Sequence, residues 1–424
     1  MRCVTITVDG SAVTMKAPVG AFLLIEIQRN NMNANETPRL PRIATLDCVR
    51  GIAILGILLL NISAFGLPKA AYLNPAYLGM PSTRDVWTWA LLDLFAQVKF
   101  LAMFALLFGA GLQLLLRRGK VWIRARLSWL VLIGLGHAIF LWDGDILLAY
   151  GLIGLVCWRM IRDAQNTFTL LKTGAVLYLI GVAVLLLLGF ISHGEPGSFW
   201  QPSVAELQYE KFWKLQGGPE AWRSRLDLLS SSLIAIGAQY GWQLAGLMLF
   251  GAGMMRSGWL CNSYSPAYYR RQAAWLIPLS LLIQLPGVLL QWHLNWDYRW
   301  SGFLLQVPRE LGSPLQAIGY LALVYGFWPT LSRLRISHWL TQVGRMALSN
   351  YLLQTLICST LFFHFGLYQQ LDRLQLLAVV PLVWLANLLF STLWLRYFAQ
   401  GPMEWLWRKL TSLAAGESLR QQTK

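Results

Sequence analysis

Leu46-Asp47-Cys48-Val49-Arg50-Gly51-Ile52-Ala53-Ile54-Leu55-Gly56-Ile57-Leu58-Leu59-Leu60-Asn61-Ile62 reads as the start of a membrane-spanning helix that carries polar groups at two depths. Asp47 and Arg50 are one helical turn apart, so each partly neutralises the other near the interface. Asn61 follows Arg50 by eleven residues. At 1.5 Å per residue that is a rise of about 16 Å, roughly half the hydrocarbon thickness. A buried amide without partners costs on the order of several kcal/mol, so Asn61 is expected to face a polar interior and not lipid. A plain N-terminal anchor with a helix-packing asparagine fits the same residues.

The rest of the chain agrees with a membrane solvent. Of 424 residues, 56% are hydrophobic and 13% charged, and the mean hydropathy is +0.49. Soluble domains carry about 25% charge, so this is a polytopic helical membrane protein. Twenty-one tryptophans suit the same class, because indoles favour the membrane interface. The net charge of +16 does not point to nucleic acid, since the basic residues sit in short loops between apolar spans. The five cysteines, Cys3, Cys48, Cys157, Cys261 and Cys358, are scattered. That argues against a disulfide framework or a zinc site.

Apolar windows of about 20 residues fall near 48–67, 98–116, 125–142, 144–161, 173–192, 229–255, 273–293, 313–331, 343–366 and 374–397. The expected architecture is therefore about ten transmembrane helices in one domain, residues 38–413. Short interfacial amphipathic helices are expected at 86–97 and 402–413. Every even-numbered connection is basic, as in Arg117-Arg118-Gly119-Lys120-Val121-Trp122-Ile123-Arg124-Ala125-Arg126. The odd ones are balanced or acidic, from Asp143-Gly144-Asp145 to the 193–227 loop. The positive-inside rule then puts both termini in the cytoplasm, with residues 414–424 as a cytoplasmic tail. Residues 1–37 read as a poorly ordered extension. Thr5–Val13 within it alternates like a hairpin turning at Asp9-Gly10, and Met32 is an alternative start.

One internal echo stands out. Gln97 through Leu107-Phe108-Gly109-Ala110-Gly111 recurs as Gln239 through Leu249-Phe250-Gly251-Ala252-Gly253, an offset of 142 residues. A duplication and convergent small-residue packing both produce such a pattern.

Ionisable groups inside spans are costly and therefore functional suspects. His137 lies about one turn from the end of the third window, before Asp143 and Asp145. A turn at Gly144 could fold the Asp145 carboxylate back onto the imidazole, an arrangement that general-base chemistry uses. Asp143 or Asp145 acting as an N-cap is the structural alternative. The ninth window opens Gly344-Arg345-Met346-Ala347-Leu348-Ser349-Asn350-Tyr351-Leu352-Leu353-Gln354-Thr355. Arg345, Ser349 and Gln354 are near one face there, with Asn350 beside it, and such a run either lines something wet or anionic or bonds to another helix. Lys99 marks the second window, and Gln243 with Tyr240 mark the sixth. No metal-ligand spacing links the five histidines, and there is no Walker, GxGxxG or GxSxG motif.

Three stretches resemble the YeiB-type family of bacterial inner-membrane proteins. They are Leu46-Asp47-x-x-Arg50-Gly51-x-Ala53-Ile54-Leu55-Gly56 with Asn61-Ile62, Gly144-Asp145-Ile146-Leu147-x-x-Tyr150, and Gly344-Arg345-Met346-x-Leu348-x-Asn350-Tyr351. Gly401-Pro402-x-Glu404-Trp405-x-Trp407-Arg408 extends the likeness, which covers about residues 40–415. The first pattern also resembles the transmembrane acyltransferase superfamily, including heparan-α-glucosaminide N-acetyltransferase. Those enzymes take an acyl group from cytosolic acyl-CoA and deliver it to a sugar on the far side. The bacterial O-acyltransferases carry a histidine eleven residues after the arginine, whereas this chain has Asn61.

The resemblance implies acyl transfer from acyl-CoA to an envelope glycan or small acceptor. His137, Asp145 and Asn61 are then the expected catalytic residues, and Asp47, Arg50, Lys99, Arg345, Asn350 and Gln354 the expected substrate-binding ones. The expected partners are membrane lipid and a glycan or small-molecule acceptor, without metal or nucleic acid, and a homo-oligomer is compatible with the sequence. A secondary transporter for a small anionic solute is the alternative, since Pro278, Pro286, Pro314 and Pro381 interrupt helices as transporters do.

Overall fold

The computed structural model describes residues 2–8, 11–17, 43–192 and 194–416. Met32, His193, most of the 1–37 extension and residues 417–424 of the tail lie outside them. An antiparallel hairpin pairs β1 (Arg2–Val8) with β2 (Ser11–Ala17), Val8 opposite Ser11. Everything else among the described residues is helical or loop.

Omitting single turns, the helices are α1 (Ala44–Gly66), α2 (Thr83–Phe95), α3 (Lys99–Leu115), α4 (Lys120–Phe140), α5 (Leu147–Asp163), α6 (Thr167–Ile191), α7 (Val204–Gln216) and α8 (Gly218–Ala235). They continue with α9 (Gly241–Arg256), α10 (Pro266–His293), α11 (Val307–Leu331), α12 (Arg335–Arg345), α13 (Ala347–Ser359), α14 (Arg373–Tyr397) and α15 (Pro402–Ala414). Among the described residues, seven helical runs are long and apolar enough to cross a membrane. The pair α12 and Ala347–His364, bent by 89°, makes an eighth. The protein is thus an all-α, multi-pass membrane protein. The windows at 144–161 and 313–331 are helices as well, α5 and α11. α5 is only 17 residues long, and α11 carries Arg309, Glu310, Ser313 and Gln316 on its buried side. Both are wrapped largely by protein, so their sequences need not be as apolar as lipid demands.

Glycines set the closest approaches. A Cβ on Gly109 of α3 would collide with the Met248 carbonyl oxygen of α9, and one on Gly251 with the Leu106 carbonyl oxygen. Leu106 and Met248 are themselves related by the 142-residue offset. The echo is therefore a reciprocal helix crossing in which each copy's glycine admits the other's backbone. Gly174 and Gly246 join α6 to α9 in the same manner. A Cβ on Gly51 of α1 would strike the Leu340 carbonyl oxygen, and one on Gly344 that of Asp47. That contact fixes the start of α1 against the end of α12 and brings two of the motifs noted in the sequence together.

Candidate functional site

Where α1, α3, α4, α5, α12, α13 and α15 meet they line a cavity of about 360 Å³. Its body is apolar, built from Ile54, Phe104, Leu107, Phe108, Leu127 and Leu130 among others. One end carries Arg50, Arg126, Arg345, Glu404 and Trp407. The other carries Ile146, Leu147, Tyr150 and Tyr351. A Cβ on Gly134 would touch the backbone of Leu147 and Leu148, so these residues stand level with Gly134. From Arg126 to Gly134 along α4 is a rise of about 12 Å.

Local chemistry builds the charged end. Arg50 binds Asp47 at 2.7 Å across one turn of α1. Arg126 lies 3.5 Å over the Trp407 ring and 5.2 Å from that of Trp122. The Trp407 indole N–H donates to the Arg126 carbonyl at 2.8 Å, tying α15 to α4. Arg345 donates to the Ala399 carbonyl at 3.1 Å. The chain bends at Met346, and the freed N–H groups of Leu348 and Ser349 at the start of α13 donate to Glu404 at 2.7 and 3.1 Å. The Ser349 hydroxyl adds a 2.5 Å bond to the same carboxylate. A half-helix N-terminus inside the bundle is thus capped by an anion from α15.

Behind the tyrosine end stands a polar chain. His137 Nδ1 lies 2.8 Å from Asp145 Oδ1, and Nε2 lies 3.0 Å from Thr355 Oγ1. If Nδ1–H donates to Asp145, Nε2 accepts from the threonine hydroxyl, and the ring is held from both sides. Asp145 Oδ2 also accepts from Leu148 N–H at 2.7 Å, capping α5. One carboxylate serves the histidine and the helix together. His137 is 3% exposed and sits between two rings, Trp142 at 6.4 Å and Tyr351 at 5.3 Å between centroids. Tyr351 forms part of the cavity wall, and His137 lies behind it.

Of the nine residues singled out in the sequence, Arg50 and Arg345 line the cavity, with Asp47 paired to Arg50. His137 and Asp145 meet each other just outside the wall. Asn61 is half-buried on α1 and does not reach the wall. Asn350 and Gln354 bond to other helices instead. Asn350 Nδ2 donates to Ser391 Oγ at 2.8 Å and Gln354 Nε2 to the Asn387 side chain at 3.3 Å, while Asn387 bonds back to Asn350. This amide network joins α13 to α14.

Lys99 belongs elsewhere. It is fully buried and donates to the Asp93 carbonyl at 2.5 Å. Asp93 in turn pairs with Arg309 at 2.9 Å, and Arg309 contacts Glu310 at 3.4 Å. Two acids and two bases neutralise one another there inside the protein. Arg126, Tyr351, Glu404 and Trp407 are the wall residues that the polar-residue reading passed over. Arg126 was counted with a basic loop, although it lies two turns inside α4.

Comparison with known proteins agrees on the lineage. The chain is 61% identical over 383 residues to YeiB of Escherichia coli strain K12, covering 90% of this chain and all of that protein. The chain belongs to the YeiB family. YxaH of Bacillus subtilis strain 168 is 29% identical, with 88% of this chain and 95% of that protein aligned. A 39.9 kDa protein from the amylase 3' region of Bacillus acidopullulyticus is 26% identical over 87% of this chain and 94% of its own. All three relatives are described as uncharacterised. The family model "Protein of unknown function (DUF418)" matches residues 254–414, from the end of α9 to the end of α15. The match includes Gly344, Arg345, Tyr351, Glu404 and Trp407 but not Arg50, Arg126 or His137. Membership therefore brings no reaction with it.

Proposed function

We propose that the protein is an acyl-CoA-dependent acyltransferase of the bacterial cytoplasmic membrane, passing the acyl group to an envelope glycan or small hydroxylated or amino acceptor at the far side. The amphipathic cavity carries this reading. Its volume is near the lower end of the roughly 300–1,000 Å³ usual for ligand sites, enough for a slender acyl-thioester arm. Arg50, Arg126 and Arg345 stand where the phosphates of the donor would remain, suited to charge-assisted contacts. The apolar body suits an acyl chain, and the tyrosine end abuts the Asp145–His137–Thr355 chain. His137 acts in this reading as a positioning residue through Tyr351, because it does not itself reach the cavity. Asn61 has no assigned step.

Titration of the purified protein in detergent with octanoyl-CoA is the direct test. Saturable binding is expected, and His137→Asn should leave the dissociation constant within about threefold while lowering kcat for acyl transfer, with KM little changed, by about 10-fold or more, as loss of an orienting partner does. Absence of binding would sink the enzyme reading.

The orientation belongs to the same proposal. With the arginine end in the cytoplasm, reporter fusions after Arg118 and Arg271 should read cytoplasmic and one within 200–220 should read external. A cytoplasmic signal from the 200–220 fusion would reverse the assignment.

One observation favours the transporter alternative. The 89° break between α12 and α13 is an interrupted helix beside the cavity of the kind transporters use, and since its freed N–H groups are taken by Glu404, the anion would fall to Arg345. That reading predicts uptake of an anionic solute into proteoliposomes, dependent on Arg345, with no affinity for acyl-CoA.

A further inference from the structure

The end of the cavity away from the arginines has little hydrogen-bonding capacity beyond its two phenols, Tyr150 and Tyr351. Tyr351 is buried, 2% exposed, and forms part of the wall. Its oxygen accepts from the Ile146 N–H at 3.3 Å, and Ile146 is itself on the wall. Among the described residues the Tyr351 hydroxyl hydrogen meets no acceptor. Asp145 bonds His137 through Oδ1 and the Leu148 N–H through Oδ2, and it forms no hydrogen bond with Tyr351. The second phenol at this end, Tyr150, donates to the Leu101 carbonyl at 3.1 Å, so its proton is spent. All three arginines stand at the other end.

A buried O–H that is not donated within the protein costs free energy unless a ligand takes it. We propose that Tyr351 is the catalytic hydrogen-bond donor for the carbonyl oxygen of a thioester whose anionic end rests on the arginines, a role that rests on the acyl-CoA reading. When an acceptor hydroxyl or amine adds to the carbonyl carbon, the C=O π electrons move onto that oxygen. The phenol O–H then bonds a developing oxyanion without giving up its proton, and the bond strengthens as charge grows. Collapse of the adduct re-forms C=O and breaks the C–S bond, and the proton lost by the acceptor hydroxyl or amine passes to the departing sulfur, so that CoA leaves as the thiol. The Asp145–His137–Thr355 chain packs behind the phenol ring and holds its position.

The test compares octanoyl-CoA with S-octyl-CoA, a thioether of nearly the same shape that lacks the carbonyl. Full-length parent protein should bind the thioester about fivefold more tightly, the worth of one neutral hydrogen bond. Tyr351→Phe should bind both alike. A ¹³C-carbonyl infrared band of octanoyl-CoA bound to the parent should shift to lower frequency than in water, a readout that needs no variant. Equal affinity of the parent for the two probes, or a preference kept by Tyr351→Phe, overturns the assignment and leaves acyl-CoA binding intact. Failure to bind either probe overturns the assignment together with the function it rests on.

Discussion

Reversing the charge at Arg126 should weaken acyl-CoA binding by two orders of magnitude or more. The guanidinium lies on the cavity wall, stacked on Trp407 and Trp122. Among the described residues it makes no ion pair with a carboxylate, and Glu404 at the same end is bonded to the start of α13, so a ligand anion has no ion pair to displace there. Losing a charge-assisted bond costs about 1.5–3 kcal/mol, and a glutamate adds repulsion, so a change of about 10²-fold in Kd is the lower expectation. Arg126→Glu is best read beside Arg162→Glu. Arg162 pairs with its neighbour Asp163 in an exposed position and does not line the cavity, so its reversal should alter Kd only a few-fold. Equal losses in the two variants would mean diffuse attraction to a basic surface and would remove the arginine end as a binding subsite.

The second large effect concerns the fold. Gly109→Ala should destabilise the protein by about 3 kcal/mol or more, at or above the usual cost of overpacking. The added methyl would meet a backbone carbonyl oxygen of α9, which cannot turn aside as a side chain can. Gly136→Ala in α4 has open space at its Cβ and should be neutral or slightly stabilising, since alanine is the better helix former. Thermal or denaturant unfolding in detergent reads both. If Gly109→Ala melts with the parent, α3 and α9 do not depend on this close crossing.

These two predictions draw on different kinds of legibility. The helices were readable because the apolar run is a local property: about twenty residues of low polarity can satisfy their backbone groups in lipid only as a helix. The repeated Gly-Ala-Gly likewise announced close packing, although only the fold shows that each glycine receives the other copy's backbone. The Asp47–Arg50 pair was readable from its spacing of three, and an Asp145 contact to His137 was sterically open from the turn at Gly144. Asn350 and Gln354 were less decisive. An amide in a span signals a polar partner, and whether that partner is a ligand or another helix depends on neighbours the sequence does not name.

By itself, then, the sequence determined a multi-pass helical membrane protein and the motifs that meet at the α1–α12 contact, whereas of its ten apolar windows the structure makes seven candidate spans, or eight with the pair bent at Met346. Only the tertiary structure decided which of those polar residues share a cavity. Lipid and protein are equally good partners for an apolar helix face, so hydropathy cannot say which face turns inward. That choice is made by glycine-sized approaches such as Gly51 with Gly344, and by buried bonds such as Glu404 to the start of α13. These contacts join residues up to about three hundred positions apart, well beyond the reach of any helical period.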